Sequence, residues 1–158
     1  MEPRIDLTKH MNEGARALFA IERYLQASSL EKSVMHLTKM RASQINGCAY
    51  CLDMHSKDAR ADGETEQRLY GLDAWREAPY YTARERAALE WTESLTLVAQ
   101  THVPDEVYET VKKEFNEAEL VDLSYAVVAI NAWNRLAIAT RAPAGTHQPT
   151  HKKSSAAT

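Results

Sequence analysis

Two cysteines and a histidine carry the most pointed chemistry in this chain. They fall in Ser43-Gln44-Ile45-Asn46-Gly47-Cys48-Ala49-Tyr50-Cys51-Leu52-Asp53-Met54-His55, as Cys-x-x-Cys-x-x-x-His. At ~100° per helical residue the three side chains span an arc of about 60°, so all face one way. Cys48 and Cys51 stand i,i+3 apart, within reach of a disulfide after a rotamer change, and His55 stands i,i+4 from Cys51. The thiolate, not the thiol, is the reactive nucleophile. A helix N-terminus, a second sulfur and an imidazole acting as base all favour it. Thiolate attack on a peroxide gives a sulfenic acid. A neighbouring thiol condenses with that acid to a disulfide, and a reductant reopens the bond. Nearness to the helix start favours Cys48 as the activated thiol, whereas the histidine favours Cys51, and spacing leaves both open.

The same residues have blander readings. Two inert cysteines on a core face are one. A zinc site of Cys48, Cys51, His55 and His36 is another, although structural zinc more often joins separate loops than takes three ligands from one helix. Haem attachment needs a histidine directly after the second cysteine, where Leu52 stands. The five glycines form neither a dinucleotide fingerprint nor a phosphate loop, and no Gly-x-Ser-x-Gly occurs. No cofactor and no resident metal are therefore expected. Ile130-Asn131-Ala132-Trp133-Asn134-Arg135 sets two amides and a cation on an apolar helix, read as hydrogen bonding between helices or subunits in preference to a pocket role. His102 reads as a solvated linker residue, and His10, His147 and His151, near the termini, are given no role. Tyr50 either donates a hydrogen bond or plugs the site. Glu85 and Glu90 read as a solvated helix face.

The elements that must position these groups are helical. No stretch alternates apolar and polar residues for long, whereas helical spacing is widespread. A first helix is expected over Thr8–Ala27, with Met11, Ala15, Leu18, Ile21 and Leu25 on one face. A second runs over Glu31–Ile45. Asn46-Gly47 interrupts the pattern, with Asn46 suited to cap the next helix, Cys48–Ala61. A short helix covers Thr65–Leu72, and Asp73–Tyr81 reads as loop. Thr82-Ala83-Arg84-Glu85 is a capping box opening a helix that reaches Val98. Pro104 opens another, and Asn116 with Glu119 caps a last long helix ending before Pro143. The expected class is all-α, a single-domain bundle of six or seven helices. From Ala142 the chain turns polar and rich in Ser and Thr, a composition that does not order by itself. The expected division is a helical domain over 1–141 and a flexible polar tail over 142–158.

Composition bounds the partners. The chain has 158 residues, 44% apolar and 26% charged, with net charge −3. At this length a core forms without a disulfide or metal staple. No broad positive field draws nucleic acid or anionic membrane. The longest uncharged apolar run, Leu123–Asn134, has 12 residues, short of the roughly 20 needed to span a bilayer. The first residues lack an apolar signal core, so a cytoplasmic location is expected. Two cysteines in such a setting point to catalysis or metal binding, not to a structural staple.

Over roughly Leu30–Ala139 the sequence resembles the alkylhydroperoxidase AhpD-like / carboxymuconolactone decarboxylase family. The resemblance rests on Arg41 to His55, with a second, shorter match at Asn131-Ala132-Trp133-Asn134-Arg135. It implies an all-helical chain assembling as a homo-trimer or homo-hexamer. It further implies a thiol peroxidase whose hydroperoxide substrate is reduced at the expense of a lipoyl or thioredoxin-type dithiol. In that scheme Cys51 becomes the sulfenic acid, Cys48 donates a proton and resolves, and His55 belongs to the proton relay. The family pattern places a glutamate 12 residues before the first cysteine; His36 stands there in this chain. An imidazole titrates near 6.5 and a glutamate near 4.3. His36 can pass a proton but cannot supply a fixed negative charge, and Glu31, five positions earlier, is not expected to substitute. Decarboxylase members generally lack the cysteine pair, which argues against lactone decarboxylation. The alternatives are a decarboxylase-like proton transfer in the same pocket and a non-enzymatic zinc or redox-sensing module.

Overall fold

The computed structural model describes residues 2–10 and 12–149. Met1, Met11 and residues 150–158, including His151 and the end of the expected tail, lie outside them. The described residues form eight α-helices and two 3-10 helices, with no strand among them. This is the all-α class expected. No helix among them is long and apolar enough to cross a membrane.

The expected first helix is divided. A 3-10 helix over Leu7–His10 precedes α1 (Glu13–Gln26). Asn12 starts α1 by accepting the Ala15 N–H on its side chain. Then follow α2 (Lys32–Asn46), α3 (Ala49–Ala61) and α4 (Glu66–Tyr70). A second 3-10 helix, Gly71–Ala74, enters the segment expected to be loop. Trp75 and Tyr81 of that segment are buried, and Arg86 donates to the carbonyls of Trp75, Ala78 and Tyr81 to hold it down. The capping box at Thr82 and Glu85 opens α5 (Ala83–Thr96). Glu85 is thus no solvated-face residue: it is buried, closes the box and takes Arg68 Nη2 at 2.6 Å. The helix breaks at Leu97, and the remainder, α6 (Val98–Thr101), accounts for the eighth helix. Next come α7 (Asp105–Val111) and α8 (Glu117–Thr140), the latter opened by the Asn116–Glu119 capping box.

The core has α2 at its centre, packed against α5, α8 and α3. Leu30, Val34, Ala88, Trp91, Phe115, Leu123 and Val127 fill one side. Leu37, Met40, Ala59, Leu72, Trp75 and Leu89 fill the other. Burying each such large apolar side chain is worth about 1.5–3 kcal/mol, so α2 is fixed on several sides. α1 lies against α8 through Leu25, Ala126 and Ala129. Both ends of α2, and with them the start of α3, are therefore held in place by the core.

Candidate active site

The sulfur pair sits where α2 hands over to α3. Gly47 adopts φ 68°, ψ 35°, a left-handed conformation that glycine tolerates best. The amide of Cys48 returns to the carbonyl of Ser43 at 3.0 Å, and that of Gly47 to Gln44 at 3.1 Å. This pair of bonds is a Schellman closure, and it leaves Cys48 extended directly ahead of α3. Cys48, not Asn46, is the N-cap: its Sγ accepts the Cys51 N–H at 3.3 Å. Cys48 and Cys51 are joined as a disulfide with Cα atoms 5.3 Å apart. Both are 1% exposed, and they pack with Ala42, Ile130 and Ala137.

Asn46 has another task, which is why it does not cap. It lies in the last turn of α2 and donates through Nδ2 to Asn134 Oδ1 at 2.9 Å and to Asn131 Oδ1 at 3.0 Å. Asn134 in turn donates to Ser43 Oγ at 3.1 Å, and Asn131 to Thr96 Oγ1 at 3.0 Å. The two amides of α8 thus bond between helices, as expected, and pin the end of α2 that carries Cys48. Buried amides bonded on both sides give one favoured register, since losing a partner leaves an expensive unpaired group.

One turn beyond Cys51 the surroundings change. His55 is 8% exposed and has no hydrogen-bond partner among the described residues. Burial, then the positive charges of Lys39, His36 and His147, push its pKa down to about 3, so the ring is neutral at ordinary pH. It lines a cavity of about 460 Å³ shared with His36, Lys39, Asp58, Asp62 and His147. The described lining includes neither cysteine. Two histidine–carboxylate contacts and one ion pair frame the cavity. His36 Nε2 meets Asp62 Oδ2 at 2.8 Å, His147 Nε2 meets Asp58 Oδ1 at 2.7 Å, and Lys39 Nζ meets Glu22 Oε2 at 2.7 Å.

The structure therefore brings Cys48 and Cys51 into bonding contact, puts His55 on the same helix, and sets His36 of α2 in His55's cavity. Among the described residues no group of three or more His, Cys, Asp or Glu is arranged to hold a metal ion. Sequence reasoning missed Asp58, Asp62 and His147. The first two carried a signal, because they follow His55 by three and seven residues on one face of a helix. His147 carried none. It arrives from the segment expected to be tail, where Gly145 and His147 lie against α3: Gly145 N–H donates to Asp53 Oδ2 at 3.0 Å and Lys57 Nζ to the His147 carbonyl at 3.1 Å.

Comparison with known proteins adds kinship to this geometry. Residues 11–94 match the profile of the Carboxymuconolactone decarboxylase family. The uncharacterized protein YdfG of Bacillus subtilis (strain 168) is 44% identical over 139 residues, covering 88% of this chain and 95% of its own. A crystal structure from Agrobacterium tumefaciens, of a protein of unknown function described as a candidate antioxidant defence protein AhpD, superposes with TM-score 0.88 at 43% identity. It covers 92% of this chain and 100% of its own. An uncharacterized peroxidase-related protein from Silicibacter sp. TM1040 follows at TM-score 0.74 and 26% identity, over 83% of this chain and 70% of its own.

Proposed function

The chain belongs to the carboxymuconolactone decarboxylase family, and on that premise we propose that it is a dithiol-dependent hydroperoxide reductase. The observation that carries the reading is the Cys48–Cys51 disulfide at the mouth of α3, one helical turn from a neutral, cavity-facing His55. Kinship with AhpD-like and peroxidase-related structures supports it.

The cycle balances as follows. An external dithiol, of lipoyl or thioredoxin type, reduces the disulfide and is itself oxidised to a disulfide. Cys51 then loses its thiol proton across His55 to His36 in one concerted transfer, because a ring whose pKa lies near 3 relays a proton without holding it. A neutral imidazole suits this step, since it accepts at one nitrogen while releasing at the other. The Cys51 thiolate attacks the hydroperoxide, the O–O bond breaks, and the alkoxide takes a proton from the Cys48 thiol to leave as alcohol. Cys51 is now a sulfenic acid. The Cys48 thiolate, stabilised by the Cys51 N–H and the start of α3, attacks the Cys51 sulfur. Hydroxide leaves, collects the relayed proton as water, and the disulfide returns. The dependence on a reduced dithiol fits a cytoplasmic setting. A homo-trimer or homo-hexamer is the assembly we favour, because α8 leaves Val121, Tyr125 and Val128 exposed along one stripe beside Tyr24.

The test is peroxide consumption with dihydrolipoamide or reduced thioredoxin as donor, using tert-butyl hydroperoxide. Cys51→Ser should lose on the order of 1,000-fold in turnover. Full turnover by Cys51→Ser overturns the proposal.

A further inference from the structure

We propose that Asp62 is a positioning residue of the relay, fixing the His36 ring through Nε2 so that its other nitrogen faces proton transfer. This deepens the reductase reading and rests on it for His36's role.

Asp62 caps the C-terminal end of α3, where exposed carbonyls concentrate negative charge and a carboxylate is poorly placed. A purely structural requirement there would select a cation. Asp62 instead meets His36, its Oδ2 lying 2.8 Å from Nε2, with both side chains only 16% exposed. Lys32 Nζ reaches the second oxygen at 3.4 Å, but that lysine is 76% exposed, so its contribution is weak. An ionised carboxylate can only accept, so Nε2 carries a hydrogen and Nδ1 is left as the nitrogen at which a proton is gained or lost. The ring is thereby held in one tautomer with a single nitrogen free to take a proton. When Nδ1 does so, the resulting cation already has its counter-charge.

The cavity supplies the proton path. His36 and His55 both line it, and the charge of His36 is near enough to weigh on His55. Among the described residues, charged groups around the pair come from each surrounding element: Glu22 of α1, Lys32 and Lys39 of α2, Asp58 of α3, and His147 beyond α8. Glu22 is paired with Lys39, and Asp58 with His147. Of the two carboxylates that face imidazoles here, the one bonded to a ring of the proposed relay is Asp62.

Asp62→Asn removes the charge and, because its amide can turn either an oxygen or an NH2 toward Nε2, no longer holds the ring in one tautomer. It should lower kcat for tert-butyl hydroperoxide about 10- to 100-fold with KM little changed, and, because the thiolate released from Cys51 on reduction takes its proton back along the same relay, slow reduction of the Cys48–Cys51 disulfide by dithiothreitol about tenfold at neutral pH. The decisive comparison uses His36→Glu. That substitution puts a second carboxylate beside Asp62, with no imidazole left to orient, so adding Asp62→Asn to it should leave both rates unchanged or raise them. Wild-type rates in Asp62→Asn overturn the assignment, as does an equal loss in both backgrounds, which marks a merely structural role. If the wild type consumes no peroxide, the reductase reading fails, and the dithiothreitol rates still decide the role of Asp62.

Discussion

The two ends of α3 are built on opposite plans. At the N-terminal end the sulfurs are buried, apolar-packed and bonded to each other, on a mount made by the turn at Gly47 and two amides of α8. Toward the C-terminal end the histidine faces a cavity framed by charged pairs, drawn from α1, α2, α3 and the segment after α8. One end is a local motif with a rigid mount. The other is an assembly of distant residues that buries one ring and adds its field to that burial. Reactive atoms can thus be encoded in a few consecutive residues while their protonation is encoded by topology.

The sharpest way to separate the two ends is to break the sulfur end alone. Cys48→Ser leaves Cys51 able to attack once but without a partner to resolve the sulfenic acid. Steady-state turnover should fall on the order of 100-fold, and a dimedone adduct should accumulate on Cys51. Sustained turnover in this variant would show that resolution does not need Cys48.

The mount is the next target. Asn134 is 0% exposed, accepts from Asn46 and donates to Ser43. Asn134→Ala should cost about 2–3 kcal/mol in urea unfolding, because the buried Ser43 and the partly buried Asn46 each lose a bond and a cavity is left at a fully buried position. A cost under about 1 kcal/mol would mean that the amides are not what holds Cys48's end of α2.

These two ends also differ in how much of them the sequence discloses. The Cys-x-x-Cys-x-x-x-His pattern, the capping boxes at Thr82 and Asn116, and the all-helical class are legible because each depends on residues a few positions apart. Asn46 illustrates the limit. Its type suits a cap, yet a bond to α8, 88 residues away, decides its role. Glu85 reads as surface until Arg68 is folded against it. The pairing of His147 with Asp58 spans 89 residues and leaves no periodicity to detect. The low pKa of His55 is likewise unreadable, since burial is its largest cause and burial belongs to the fold.

That low pKa makes the histidine end titrate through stability. His55 binds a proton near 6.5 when unfolded and near 3 when folded. Between those values the unfolded chain holds more protons, so stability is complete above about pH 6.5 and is lost as pH falls toward 3. The slope from this one group approaches about 1.4 kcal/mol per pH unit within that window. Urea unfolding between about pH 4.5 and 7 should show it, and His55→Gln should remove it. An unchanged slope in His55→Gln would place the acid sensitivity elsewhere.

The smallest effect concerns the segment that closes the cavity from beyond α8. His147 and Asp58 are both about a quarter exposed, so breaking their pair should cost less than about 1 kcal/mol. The consequence lies in the field instead. His147 is one of three positive charges that weigh on His55, and removing it favours the protonated ring. In His147→Ala the His55 midpoint should therefore move up from about 3, yet stay below the ordinary value, because burial remains the larger cause. The acid-side loss of stability due to His55 should shrink accordingly, since its folded and unfolded values draw closer. Ring proton resonances followed through an acid titration read the midpoint directly. A midpoint that does not move would mean that His147 seals the cavity without adding to its field, and the contrast between the two ends of α3 would then rest on burial alone.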